Sequence, residues 1–176
     1  MLSAIYYVVT TLLGLYQVVL LLRLLMQWVR ADFRNPVSRA IVQLTNPVIL
    51  PLRKILPPVR RIDTASVVAI LAVTVVKIVV GQLLLVSSLP AADLLLRELL
   101  LETLHLVLTT YLFVIILNAI LSFVAPENYS PAQSLLQSIC EPVLRPIRRV
   151  IPSVAGLDLS PLWACIAIQA LLILVR

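Results

Sequence analysis

The sequence predicts an all-α membrane protein with four transmembrane helices in two parallel tandem repeats, each carrying a proline-rich amphipathic cytoplasmic loop. Three observations lead there. Of the 176 residues, 61% are apolar and only 12% are charged, where a soluble domain carries about 25% charged residues. Apolar runs are long enough to cross a bilayer, which takes roughly 20 residues as a helix. The two halves also align without gaps, Pro36 on Pro131 and Pro47 on Pro142. A mean hydropathy of +1.08 excludes disorder, which needs low hydrophobicity and high charge. Two cysteines are too few for a disulfide scaffold. The runs are continuously apolar rather than alternating, which argues against a β-barrel.

The first span covers residues 2–29 and carries one charge, Arg23. It lacks a basic leader and a small-residue cleavage site, so it reads as a span and not as a removable signal. The second covers 64–89 with Lys77 inside it, and the third covers 103–125 with no acid or base except His105. A shorter fourth run, 159–175, lies between Asp158 and Arg176. Ten of the fourteen Lys and Arg residues fall in the first and third loops. The positive-inside rule then places both loops in the cytoplasm and both termini outside. The same rule explains the net charge of +6, so no nucleic-acid partner is expected.

The repeat extends well beyond two prolines. Pro51 aligns with Pro146, Pro57 with Pro152, Arg53 with Arg148, Lys54 with Arg149 and Asp63 with Asp158. One unit is read over 1–89 and the other over 96–176. Two spans per unit return the chain to its starting side, so the repeats are parallel. In the second loop, Ser130-Pro131 with Gln133 reads as an N-cap, N1 and capping-box spacing. Ala132, Leu135, Leu136, Ile139 and Val143 then recur at helical spacing, and the helix is expected to stop at Glu141 because Pro142 follows. The first loop repeats this with Ile41, Leu44 and Val48. Such helices, with the bases Arg53, Lys54, Arg60, Arg61, Arg145, Arg148 and Arg149, suit the headgroup region of an anionic leaflet or a docking partner, and the prolines also permit a re-entrant pair dipping into the bundle. Asp63, Asp158 and Ser160 read as caps of the following spans, compatible with pairing to Arg60, Arg61 or Arg149.

Polar groups inside spans are functional candidates by default. Lys77 is central in span two. Glu98, Glu102, His105 and Thr109 fall on one helix face, offering Lys77 a counter-ion in Glu102 or a hydrogen-bond partner in His105. Gln17 and Thr109 lie at a depth similar to Lys77. Arg23 can snorkel toward the cytoplasm, and its repeat counterpart is Asn118. Polar residues at one repeat position point to an interhelical contact. Cys140 and Cys165 have no metal-like spacing and read as free thiols. With no phosphate loop, nucleophile elbow or zinc motif, neither an enzyme nor a cofactor is expected.

The run from Glu141 to Arg149, then Pro152, then Gly156-Leu157-Asp158-Leu159-Ser160-Pro161 resembles the signature of the YggT (YlmG) family. Residues 46–63 form a more divergent copy, with Asn46 in place of the acid, Leu50 of the arginine and Ala65-Ser66 of the Ser-Pro. The resemblance implies a bacterial inner-membrane protein with relatives in cyanobacteria and plastids. It also implies links to osmotic tolerance, ion homeostasis, the division region and, in plastids, cytochrome maturation and nucleoid distribution. It supplies no catalytic residue. The leading expectation is therefore a scaffold or assembly factor whose partners are anionic lipid, other membrane proteins or further copies of itself. The alternative is a small channel or transporter for potassium or another ion.

Overall fold

A computed structural model of the protein describes residues 2–59, 63–85, 88–124, 130–151 and 158–175. These residues form α1 (Leu2–Trp28), α2 (Pro36–Ile55), α3 (Thr64–Leu85), α4 (Ala92–Val124), α5 (Pro131–Val150) and α6 (Ser160–Leu174). The segments Ser3–Trp28, Thr64–Leu85 and Ala92–Ser122 are long and apolar enough to cross a membrane. Their large outward-facing side chains, such as Leu12, Leu15, Phe113 and Ile120, suit a hydrocarbon solvent. The expected fourth span is helical but has only 15 residues. At about 1.5 Å per residue it reaches roughly 22 Å, short of a hydrocarbon core about 30 Å thick.

Two boundaries differ from the sequence reading. Helix α4 begins at Ala92 rather than near Thr103, because Leu, Glu and Arg between these points are strong helix formers. Helix α5 does not stop at Glu141. It runs on through Pro142 and Pro146, as α2 runs through Pro47 and Pro51. A proline removes its own N–H bond to the carbonyl four residues back. With prolines four apart, both losses fall along one side of the helix, and all four prolines are exposed. The opposite side supplies the compensating burial. Ile41, Thr45 and Ile49 are buried in α2, and Leu135, Ile139, Cys140 and Leu144 in α5. Leu44, expected on the apolar face of α2, is exposed, and Thr45 takes the buried position beside it.

The chain divides into two compact units, Met1–Leu24 with Ile41–Leu106 and Leu25–Ala40 with Val107–Arg176. The first has Leu20, Leu21, Ile49, Ala65 and Ala69 in its core. In the second, α5 packs on α6, around Ile115, Ile139, Leu144 and Ala164. The second unit also contains the end of α1. Arg30 closes that helix in the left-handed conformation, φ 56°, and the Ala31 N–H donates back to the Met26 carbonyl at 2.9 Å, the Schellman pattern. Asn35 then starts α2, accepting from the Val37 N–H at 2.9 Å, and its own amide donates to the Pro131 carbonyl at 2.6 Å.

Candidate functional site

In the first unit, polar side chains bind the amphipathic helix to the spans. Arg23 does not snorkel. It is 4% exposed, and its Nη1 donates to Thr45 Oγ1 at 2.6 Å and Asn46 Oδ1 at 2.9 Å, both on α2. A half-exposed arginine would gain little, whereas a desolvated one holds these acceptors with charge-assisted bonds. Thr45 passes its own proton to the Ile41 carbonyl at 2.7 Å. Deeper in the unit, the Gln17 amide donates to Thr74 Oγ1 at 2.7 Å, and both side chains are buried. Sequence reading placed Gln17 near the Lys77 level and missed Thr74, whose partner lies 57 residues away.

Asp63 immediately precedes α3 and is completely buried. Its carboxylate accepts from Arg53 Nη2 at 2.7 Å and from the Ser66 hydroxyl at 2.7 Å. Burial alone would raise this carboxyl. The hydrogen bonds from Arg53 and Ser66, with the charges of Arg53 and Arg23, outweigh it and hold the group below the usual carboxylate value. Among the described residues, the partner is Arg53 on α2. Because α2 continues through its prolines, it carries Arg53 back to the start of α3. Arg60 and Arg61, also expected as lipid or partner contacts, lie outside the described residues.

The second unit makes the same pairing at positions 95 residues further along the chain. Arg148 Nε donates to Asp158 at 2.8 Å and its Nη1 to Glu141 at 3.1 Å. Here all three side chains are substantially exposed, at 39%, 42% and 45% for Arg148, Asp158 and Glu141. Asp158 also accepts from the Ser160 backbone N–H at 2.9 Å. Burial raises its carboxyl, and the bonds from Ser160 and Arg148 bring it below the ordinary value. Ser160 is thus the capped residue and not the cap: Leu159 occupies that position without a side-chain bond. Ser130 does cap α5, accepting from the Gln133 N–H at 3.1 Å. Lys54, Arg145 and Arg149 are exposed. Buried Cys140 has its thiol pushed up to about 12, mainly by burial, which leaves it protonated and poorly nucleophilic.

The intramembrane polar group forms at the far end of the first unit from α2. Lys77 Nζ donates to Glu102 at 2.8 Å. A cavity of about 200 Å³ opens beside the pair, with Glu98 in its wall. Lys77 lies eight residues from the α3 terminus at Leu85, about 12 Å along the axis. His105 is exposed and Thr109 half-buried on the same helix, and neither lines this cavity. Asn118 is half-buried in the second unit. Among the described residues, no group of three His, Cys, Asp or Glu side chains is arranged to hold a metal ion.

This arrangement can anchor amphipathic helices, present bases and hold a small polar cavity. Comparison with known proteins places it. The sequence model of the CCB3/YggT family matches residues 2–84 and 98–176. A Pseudomonas aeruginosa protein named Uncharacterized protein PA0392 is 38% identical over 186 residues, covering 98% of this chain and 88% of that one. Uncharacterized protein YggT of Escherichia coli K12 is 36% identical over 156 residues, covering 89% of this chain and 80% of its own. A Vibrio alginolyticus protein, named for its position in the proC 3' region, is 40% identical over 166 residues, with 93% and 88% covered. No solved structure matches the chain. From its whole-length family match and these relatives, the chain belongs to the CCB3/YggT family.

Proposed function

We propose that the protein is a non-enzymatic scaffold of the bacterial inner membrane, built from two copies of one unit and acting through basic amphipathic helices on the cytoplasmic side. It would serve assembly or division of the envelope and tolerance of osmotic stress. The observation that carries this reading is the pair of Arg–Asp clamps, Arg53 to Asp63 and Arg148 to Asp158. Each fixes a proline-containing amphipathic helix to the start of an apolar helix. Exposed bases are then held in place rather than on a floppy loop, beside a leaflet where each contributes about 1 kcal/mol. The family match in two stretches supports the duplication, and α6 then counts as a fourth, shorter span with both chain ends outside.

The test uses the intact protein in nanodiscs of phosphatidylglycerol or phosphatidylcholine. The triple variant Lys54→Glu, Arg145→Glu, Arg149→Glu leaves both clamps in place. The wild type should melt higher in the anionic discs, and the variant should lose that difference. In cells, photo-crosslinks from position 137, exposed on α5 and unchanged in the variant, to neighbouring membrane proteins should disappear with it. Unchanged melting and unchanged crosslinks would overturn the reading. The Lys77–Glu102 pair favours a second reading, ion transport. Flux in proteoliposomes that vanishes in Lys77→Leu, with insertion intact, would move the assignment there.

A further inference from the structure

The cavity in the first unit has a carboxylate that no described residue pairs with. Lys77 is matched by Glu102 at 2.8 Å. Glu98 lines the same cavity and makes no hydrogen bond or ion pair among the described residues. Two further acceptors face that space, the Gln82 amide and Thr10. The Thr10 hydroxyl gives its proton to the Tyr6 carbonyl at 2.7 Å, which leaves its oxygen free to accept. A wall is aromatic. The Tyr6 ring lies so close to α3 that a Cβ on Gly81 would meet its Cε2 at 3.2 Å, so glycine admits the ring there. Ile78 and Leu85 complete an apolar side.

We infer that this cavity binds a short alkylammonium group, with Glu98 as counter-ion, Gln82 and Thr10 as acceptors and Tyr6 against the carbon chain. An ammonium has three N–H donors, and the cavity offers three acceptor groups. Among the described residues, no group of three His, Cys, Asp or Glu side chains is placed to hold calcium or magnesium. The cation also gains from an aromatic face. The volume, about 200 Å³, equals the share of roughly six waters and admits an amine of a few carbons. Two sources have this chemistry, a soluble amine and the aminoethyl headgroup of a lipid at the membrane surface. None of the lining residues belongs to α2 or α5, so its failure leaves the scaffold reading untouched.

Calorimetric titration of n-propylammonium chloride into the protein in phosphatidylcholine nanodiscs tests it, with sodium and potassium chloride at equal ionic strength as controls. Saturable propylammonium binding is expected, weakened at least tenfold by Glu98→Gln and several-fold by Tyr6→Leu, with melting temperatures checked for both variants. In discs containing phosphatidylethanolamine, a lipid ligand would compete and weaken the apparent affinity. An unchanged affinity would assign the site to soluble amines. Absence of saturable binding in the phosphatidylcholine discs, or binding that survives Glu98→Gln, would overturn the proposal. Equal binding of sodium or potassium would overturn the assigned ligand class.

Discussion

The two Arg–Asp clamps share a ten-residue spacing and differ in their surroundings. Asp63 is completely buried and lies within the field of Arg23 as well as Arg53. Asp158 is 42% exposed, and its Arg148 is shared with Glu141. Among the described residues, the first cluster therefore contains two bases and one acid, the second one base and two acids. The exchange is visible in sequence: at an offset of 95 residues, Arg23 and Asn46 align with Asn118 and Glu141. The difference teaches that one motif can serve two physical purposes. With its acid buried and its arginine 35% exposed, the first pair is a structural part whose loss leaves desolvated groups without their partner. Open to water, the second contributes little stability and leaves acceptor oxygens available.

The comparison is tested most severely by Asp63→Asn against Asp158→Asn. Asp63→Asn takes the buried carboxylate away from Arg53 and from the field of Arg23 and should cost about 3 kcal/mol. Asp158→Asn should cost about 1 kcal/mol or less, as for an exposed pair. Thermal unfolding in one detergent measures both, and equal costs would end the distinction. Next in size is Arg23→Met, which removes the donor from Thr45 and Asn46 and should cost about 2 kcal/mol. Its specific signature is maleimide labelling of a Thr45→Cys reporter, slow with Arg23 present and fast without it.

Acid titration sharpens the contrast further. The folded carboxyl of Asp63 lies below its unfolded value, so its contribution is complete above the ordinary carboxylate value of about 4. It is lost as the pH falls through the folded value. Melting temperature should drop across that acid window, and Asp63→Asn should remove most of the drop. Asp158, also lowered but exposed, should supply a smaller part. The mildest effect is chemical. With its thiol near 12, Cys140 should react with iodoacetamide at pH 7.5 at least a hundredfold more slowly in the fold than after unfolding, read by mass spectrometry. Equal rates would show that α5 opens freely.

Much of this was legible because it is local. Apolar runs, the Ser130 cap and the amphipathic loops depend on residues within a turn or two of each other. The repeat pointed to Arg53, Arg148, Asp63 and Asp158 as equivalent positions. It did not pair them, because the rule that helices end before proline cut α5 at Glu141. Pro142 and Pro146 stay helical since the opposite face gains burial, and that continuation swings Arg148 to Asp158. Arg23 was misjudged for a related reason. Its side chain is long enough to snorkel, and only tertiary packing puts Thr45 and Asn46 within reach. His105 shares a helix face with Glu102 by spacing, but which part of that face meets α3 depends on packing.

The prolines of α2 and α5 also set a level. Pro47 and Pro51 leave the carbonyls of Gln43 and Pro47 without their helical donors, and Pro142 and Pro146 do the same to Ser138 and Pro142. An open carbonyl in hydrocarbon costs several kcal/mol, and in water almost nothing. Each amphipathic helix thus has a waterline drawn along it by covalent structure. Its apolar side can press against the spans, while the proline side must stay at the height where water or headgroups supply a proton.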